Sequence, residues 1–241
     1  MYILGHNPCM SCIVHNPSKI KKIYIINDKK DEYIRNISNK DLIKKAESLD
    51  RSSFLRITKE ADVSDHIIIE RETYKSSPLE ELLLDKKEPS TLIILDQLTD
   101  QNNIGNIFRT AALTNVNGVI IPEHGSAGIT SITATISSGA VEIIKFHIAK
   151  NISRTIEVLK KNNYWIYSLD MKGKENLDNN FKFDRRSVII LGNEGKGIRK
   201  NILENSDFVL SLKQKKISQI DSYNAANSMA IALYYKNLNT N

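Results

Sequence analysis

Leu191-Gly-Asn-Glu-Gly-Lys-Gly-Ile198 continues an apolar run, Val188 to Gly192, that is hydrophobic enough to be a central strand. Three glycines within six positions let the backbone double back close to a ligand, so that free N–H and C=O groups can meet a flat heterocycle. Read alone, the stretch is also compatible with a plain glycine-rich turn, although Glu194 at its tip is unusual for a turn with no task. The GxxxxGK[ST] phosphate loop and the GxGxxG dinucleotide fingerprint are both missing, which argues against a P-loop NTPase and an ordinary nucleotide-dependent dehydrogenase.

Working outward, apolar strands recur at Leu92 to Asp96, Gly118 to Pro122, Ile143 to Ile148, Trp165 to Leu169 and Phe208 to Leu212. Amphipathic helical segments separate most of them. This pattern predicts an α/β fold with a largely parallel sheet covered by helices on both faces. In such sheets the loops after the strand C-termini form the ligand crevice. The segment Leu95 to Ala111 supplies one such loop and a helix whose apolar stripe is Ile104, Ile107, Phe108, Ala111 and Ala112. Asn103 and Arg109 fall off that stripe, and the planar fork of Arg109 suits a phosphate. Taken alone, they read rather as a capping Asn and a solvated Arg. A third polar segment, Lys213 to Ala230, runs from a basic loop into an Ala- and Ser-rich terminal helix that Asp221 or Ser222 is placed to cap.

Upstream, short strands and helices alternate from Met1 to about Lys87. Ile20 to Ile26, Ser53 to Ile57 and His66 to Arg71 read as strands, and Asp41 to Leu49 as a helix. The charged, Pro-containing stretch Asp85 to Ser90 interrupts the pattern, which predicts a small α/β domain over 1–87 and a second domain over 88–241. Cys9 and Cys12 are the only cysteines, flanked by His6 and His15. On a helix opened by Pro8 these four positions spread over about 13 Å, too far to converge on one ion with bonds of about 2 Å. A buried helix face is the reading, a redox pair the alternative, and no metal is expected.

The chain has 241 residues, 41% hydrophobic and 26% charged, with 34 Lys and Arg against 28 Asp and Glu. The net charge of +6 suits a polyanionic partner. No apolar stretch approaches the roughly 20 residues that span a bilayer, and no signal-like segment opens the chain, so no membrane association and a cytoplasmic location are expected.

Together, the three polar segments resemble in order and spacing the SpoU family of RNA ribose 2'-O-methyltransferases in the SPOUT superfamily. Asn103-Ile-Gly105 with Arg109-Thr-Ala111 matches the family's first motif. Ser137-Ser-Gly-Ala-Val-Glu142 resembles its small-residue middle stretch, Leu191 to Ile198 the second motif, and Ser222-Tyr-Asn224 the third. The N-terminal part more faintly resembles the ribosomal-protein-like RNA-binding domain found ahead of this catalytic domain. Three departures are visible: Asp100-Gln-Asn-Asn103 lacks the usual Pro, the loop after Leu212 is longer and basic, and Tyr223 replaces a Leu.

The resemblance implies a deep trefoil knot, S-adenosylmethionine as cofactor and a homodimer. It places Leu191, Gly192, Asn193, Gly197, Leu212 and Tyr223 at the cofactor. It places Asn103, Arg109, Glu194, Ser222 and Asn224 at the reaction centre, with Arg109 near the cofactor of the other subunit. The implied substrate is a structured RNA, ribosomal (large-subunit) ahead of transfer RNA. The alternative is a non-catalytic RNA-binding or ribosome-assembly protein on the same fold.

Overall fold

A computed structural model describes residues 1–59, 61–62, 64–83, 88–215 and 222–238. The chain forms two compact units, Met1–Lys75 with Ile129–Ile143, and Ser76–Gly128 with Ile144–Asn241. The sequence places one boundary near Lys87, and the chain divides differently. Leu82 is buried with Leu92 and Ile120 in the core of the second unit. The Ser77 N–H donates to Phe146 O at 2.8 Å and the Ile148 N–H to Ser76 Oγ at 2.8 Å, which ties this segment to the same unit.

The first unit contains β1 (Tyr2–Leu4), α1 (His6–His15), β2 (Ile20–Ile26), α2 (Lys30–Asn36), α3 (Lys40–Lys44), β3 (Ala46–Leu49), α4 (Arg51–Leu55) and β4 (Ile67–Arg71). Its sheet has the order β1-β4-β2-β3, with β2 and β3 parallel and the other pairs antiparallel. The helix expected over Asp41 to Leu49 stops at Lys44. Asn39 caps its start, and Ala46–Leu49 pairs with β2, so sheet formation overrides helical spacing. The strand expected over Ser53 to Ile57 is helix α4. Asp50 accepts the Ser52 and Ser53 N–H groups at 2.9 and 3.0 Å, and both hydroxyls as well. These bonds, the hydroxyls foremost, hold its carboxyl far below the usual range and nucleate a helix where β-propensity suggested a strand.

In α1, Cys9 and Cys12 are buried, as a helix face requires. His6 lies 3.2 Å from the Tyr33 hydroxyl, and His15 is exposed. Burial pushes the Cys12 thiol up to about 12 and raises Cys9 as well, which leaves both protonated and poorly nucleophilic at neutral pH.

The second unit holds β5 (Ser90–Asp96), α5 (Gln101–Leu113) and β6 (Gly118–Pro122). Helix α6 (Ser131–Ile136), capped by Thr130, belongs to the first unit. The second unit resumes with β7 (Phe146–Ala149), α7 (Ile152–Lys161), β8 (Trp165–Leu169), β9 (Glu175–Leu177), β10 (Arg186–Gly192), α8 (Lys200–Leu203), β11 (Phe208–Leu212) and α9 (Ala225–Leu238). The strand expected from Ile143 begins only at Phe146, because Ala140–Glu142 forms a 3-10 turn of the first unit. The sheet order is β7-β6-β5-β10-β8-β11-β9, and all its pairs are parallel. Leu92, Ile94, Val188 and Ile190 pack with Ile152, Ile156 and Leu159 of α7. The alternate residues Ile93 and Ile189 are equally buried, so the sheet is covered on both faces and its strands read as unbroken apolar runs. Helix α9 packs on α5 and β10.

Lys236 of α9 is only 3% exposed. Burial lowers its pKa from 10.5 to about 8, against an opposing pull from Asp184. Between those values the unfolded chain binds more protons, so stability must rise with pH across that window. Lys236→Met is expected to flatten this rise, by up to about 3 kcal/mol between the two limits. Urea denaturation of wild type and variant at several pH values checks it, and parallel curves would refute it.

Candidate active site

Registers of the parallel sheet place the C-terminal ends of β5, β10, β8 and β11 side by side: Asp96 lies beside Gly192, Leu191 beside Leu169, and Leu169 beside Leu210. Over the last three strands lies a cavity of about 470 Å³, a size that admits a cofactor. It sits at the C-terminal ends of parallel strands, where ligand crevices form in such sheets.

The loop after β10 forms one wall. Asn193 and Gly197 exchange backbone hydrogen bonds at 2.8 and 3.2 Å, closing a tight loop. Asn193 Oδ1 accepts the Gly195 and Lys196 N–H groups at 3.0 and 3.1 Å, while its Nδ2 donates to Gln97 O at 3.0 Å. The side chain of Asn193 therefore shapes the loop and anchors it beside β5. A Cβ on Gly192 would stand 2.3 Å from the Gly197 carbonyl carbon, so no side chain fits there without moving backbone. Behind the loop, Arg199 forks onto buried Asp96 at 2.9 and 2.6 Å, and its N–H bonds the other carboxylate oxygen at 3.0 Å.

The Asn103 amide donates to Glu194 Oε1 at 2.9 Å. Asn103 is 7% exposed, which corrects its placement off the buried stripe of α5. That stripe is otherwise occupied by Ile104, Ile107, Phe108 and Ala111. The first and second polar segments thus meet through this contact and through the Asn193–Gln97 hydrogen bond. Arg109 lies elsewhere: it is exposed, does not line the cavity, and its side chain has no hydrogen-bond or ion-pair partner among the described residues.

The third segment supplies Ser222, Tyr223 and Asn224 to the cavity, and the end of β11 supplies Leu212. Lys216 to Asp221 lie outside the described residues, and with them the cap expected from Asp221. The cap observed is Asn224, whose Oδ1 accepts the Asn227 N–H at 2.8 Å, so neither Asp221 nor Ser222 is needed for it. Leu191, Gly192, Asn193 and Gly197 line the same cavity.

Sequence reading missed one wall. The turn after β8 contributes Asp170, Met171 and Lys172. It lies so close to β11 that a Cβ on Gly173 would fall 2.5 Å from the Leu210 carbonyl carbon. The available signal was a polar turn with Gly directly after a buried strand. Leu169, Met171, Leu191, Leu210, Leu212 and Tyr223 give the lining apolar surface beside the backbone of the glycine loop. A cavity with apolar walls, exposed peptide groups and no room for a Gly192 side chain fits a nucleoside cofactor.

Residues 90–234 match the SpoU rRNA Methylase family model. An uncharacterized tRNA/rRNA methyltransferase of Borreliella burgdorferi is 39% identical over 150 residues, 62% of this chain and 64% of that protein, so the match spans less than two thirds of the relative's length. The SpoU methyltransferase AviRb of Streptomyces viridochromogenes, solved with AdoMet, superposes with a TM-score of 0.80 at 16% identity, covering 98% of this chain and 88% of that one. A structure described as an RNA 2'-O ribose methyltransferase superposes with a TM-score of 0.72 at 16% identity, covering 98% and 86%. At these identities the two structural likenesses are likenesses of fold.

Proposed function

We propose, from the premise that the chain belongs to the SpoU rRNA Methylase family, that it transfers a methyl group from S-adenosylmethionine to a ribose 2'-hydroxyl of structured RNA. The observation that carries this reading is the Asn103–Glu194 hydrogen bond at the edge of a cofactor-sized cavity. It joins the first motif to the second at the site where the third also converges. Leu191, Gly192, Asn193, Gly197, Leu212 and Tyr223 would hold the cofactor, which supplies an electrophilic methyl group when bound. The chain's own work is then alignment of the hydroxyl and acceptance of its proton. Glu194, fixed by Asn103, faces the cavity with Ser222 and Asn224, and these groups position the ribose.

Arg109 grips a neighbouring phosphate and orients the hydroxyl, since a guanidinium does not serve as a base. It acts on the cavity of a second subunit. That role is supported by its exposure and its lack of a partner among the described residues of its own chain. Leu113, Tyr234 and Leu238, 79%, 62% and 60% exposed, leave apolar surface on α5 and α9 for a homodimer to cover. We read the return of α9 from β11 to β10 and α5 as the closing pass of a trefoil knot. The first unit is read as the RNA-binding domain and large-subunit ribosomal RNA as the substrate, ahead of transfer RNA. The site of action is the cytoplasm; no helix among the described residues is long and apolar enough to cross a membrane.

The test is transfer from radiolabelled S-adenosylmethionine to ribosomal and transfer RNA lacking 2'-O-methylation, with the product located as a block to alkaline cleavage. Arg109→Ala is expected to lower the rate by about a hundredfold or more while cofactor affinity holds. Absence of both cofactor binding and methyl transfer in the wild type would reject the reading in favour of a non-catalytic RNA-binding protein.

A further inference from the structure

We propose that Lys172 and Lys196 form a phosphate clamp at the rim of the cavity, holding the RNA backbone beside the reacting ribose. This rests on the methyl-transfer reading above. The chemistry of the substrate demands such a group. A ribose 2'-oxygen is only a few bonds from its own 3'-phosphodiester, and another phosphate precedes the same sugar. Any geometry that brings the hydroxyl to the cofactor therefore brings phosphate to the mouth of the cavity.

The cavity is poorly made for an anion at first sight, because Asp170 and Glu194 both line it. Among the described residues neither carboxylate is neutralised by a cation: Asp170 Oδ1 accepts the Lys172 backbone N–H at 2.8 Å, and Glu194 takes the Asn103 amide. The lining cations are Lys172, on the turn after β8, and Lys196, in the glycine loop after β10. Both side chains are exposed, and among the described residues neither ammonium pairs with a carboxylate. Arg109 does not line the cavity of its own chain, and one guanidinium from a second subunit serves one phosphate at most. Two adjacent loops thus present two uncommitted ammonium groups at the place where a second phosphate must lie. Compact charges on flexible stems suit a backbone whose conformation varies, and phosphate contacts of this kind position the strand without reading its bases.

The same ammonium groups have one competing anion, the carboxylate of S-adenosylmethionine, and the test separates the two. The full-length protein is compared as wild type, Lys172→Gln, Lys196→Gln and the double variant. In-vitro transcribed large-subunit ribosomal RNA and a short single-stranded RNA of random sequence serve as probes. Filter binding across a salt series is expected to weaken about tenfold per lysine. The slope of log affinity against log salt should fall by about 0.7 to 1 for each lysine lost. In methyl transfer the KM for RNA rises while kcat and calorimetric affinity for S-adenosylmethionine stay unchanged, whereas Arg109→Ala lowers the rate itself. Equal RNA affinity and equal salt slope across the four proteins overturns the clamp. So does a loss of cofactor affinity with RNA binding intact, which would assign the lysines to the cofactor carboxylate. Filter binding needs no chemistry, so the two failures are distinguishable: a wild type that binds RNA through these lysines but neither binds cofactor nor transfers a methyl group would reject the methyl-transfer reading, and with it the role beside a reacting ribose, while leaving the lysines as an RNA-backbone contact.

Discussion

Gly192→Ala will abolish measurable binding of S-adenosylmethionine, a loss of about a hundredfold or more, while Gly195→Ala three residues away will change it little. The added methyl at position 192 would lie 2.3 Å from the Gly197 carbonyl carbon and 2.4 Å from the Ile198 nitrogen. Both obstacles are backbone, held by the Asn193–Gly197 bridge and by the Arg199–Asp96 fork immediately beyond. The loop can accept the methyl only by moving away from β10, and that movement reshapes one wall of the cavity. Overpacking of this kind costs about 1–3 kcal/mol in stability, a modest loss for a chain that stays folded. At Gly195 the nearest atom to an added Cβ is Asn193 Oδ1 at 3.7 Å, an ordinary contact. Calorimetric titration of both variants, with thermal melting to verify folding, checks the pair. Cofactor affinity in Gly192→Ala within about threefold of wild type would contradict the account of the loop.

A second large effect is expected in the first unit. Arg71 and Glu142 form an ion pair whose side chains are 5% and 1% exposed. Glu142 Oε1 also accepts the Tyr74 hydroxyl at 2.6 Å, and the Arg71 guanidinium lies over the Tyr74 ring. Asn16 Nδ2 donates to Glu142 Oε2 at 2.8 Å and to its carbonyl at 2.9 Å. Either Glu142→Leu or Arg71→Met alone leaves a buried charge without its counter-ion and is expected to cost about 3–5 kcal/mol. The double variant removes both charges and should recover most of that loss. Chemical denaturation of the three variants measures it, and additive losses in the double variant would show that the pair is not coupled.

The pair also explains why Ser137 to Glu142 carries information that sequence reading could not place. The stretch was legible as a motif, yet its partners are Asn16, Arg71 and Tyr74, distant in the chain. Ser11 likewise donates to Gly139 O at 2.9 Å. Nothing local marks Glu142 as a buried ion, because burial depends on which segments fold around it. The same gap appears in the small first sheet. Ala46–Leu49 is strand only because β2 offers it an edge, and Ser53 opens no strand because Asp50 caps a helix there.

The amino-acid sequence by itself determined the parallel α/β architecture, since strands buried on both faces must be apolar along their whole length and such runs are readable locally. It also marked the glycine-rich and C-terminal segments that line the cavity, because Gly, Asn and Ser at strand ends answer to local backbone demands. Tertiary structure alone decided that Asn103 is buried against Glu194, that Arg109 stays outside its own chain's cavity, and that the turn carrying Asp170 and Lys172 is a wall of that cavity. Those outcomes depend on strand order, which sets β10 between β5 and β8. Strand order is a property of long-range pairing that no local pattern encodes.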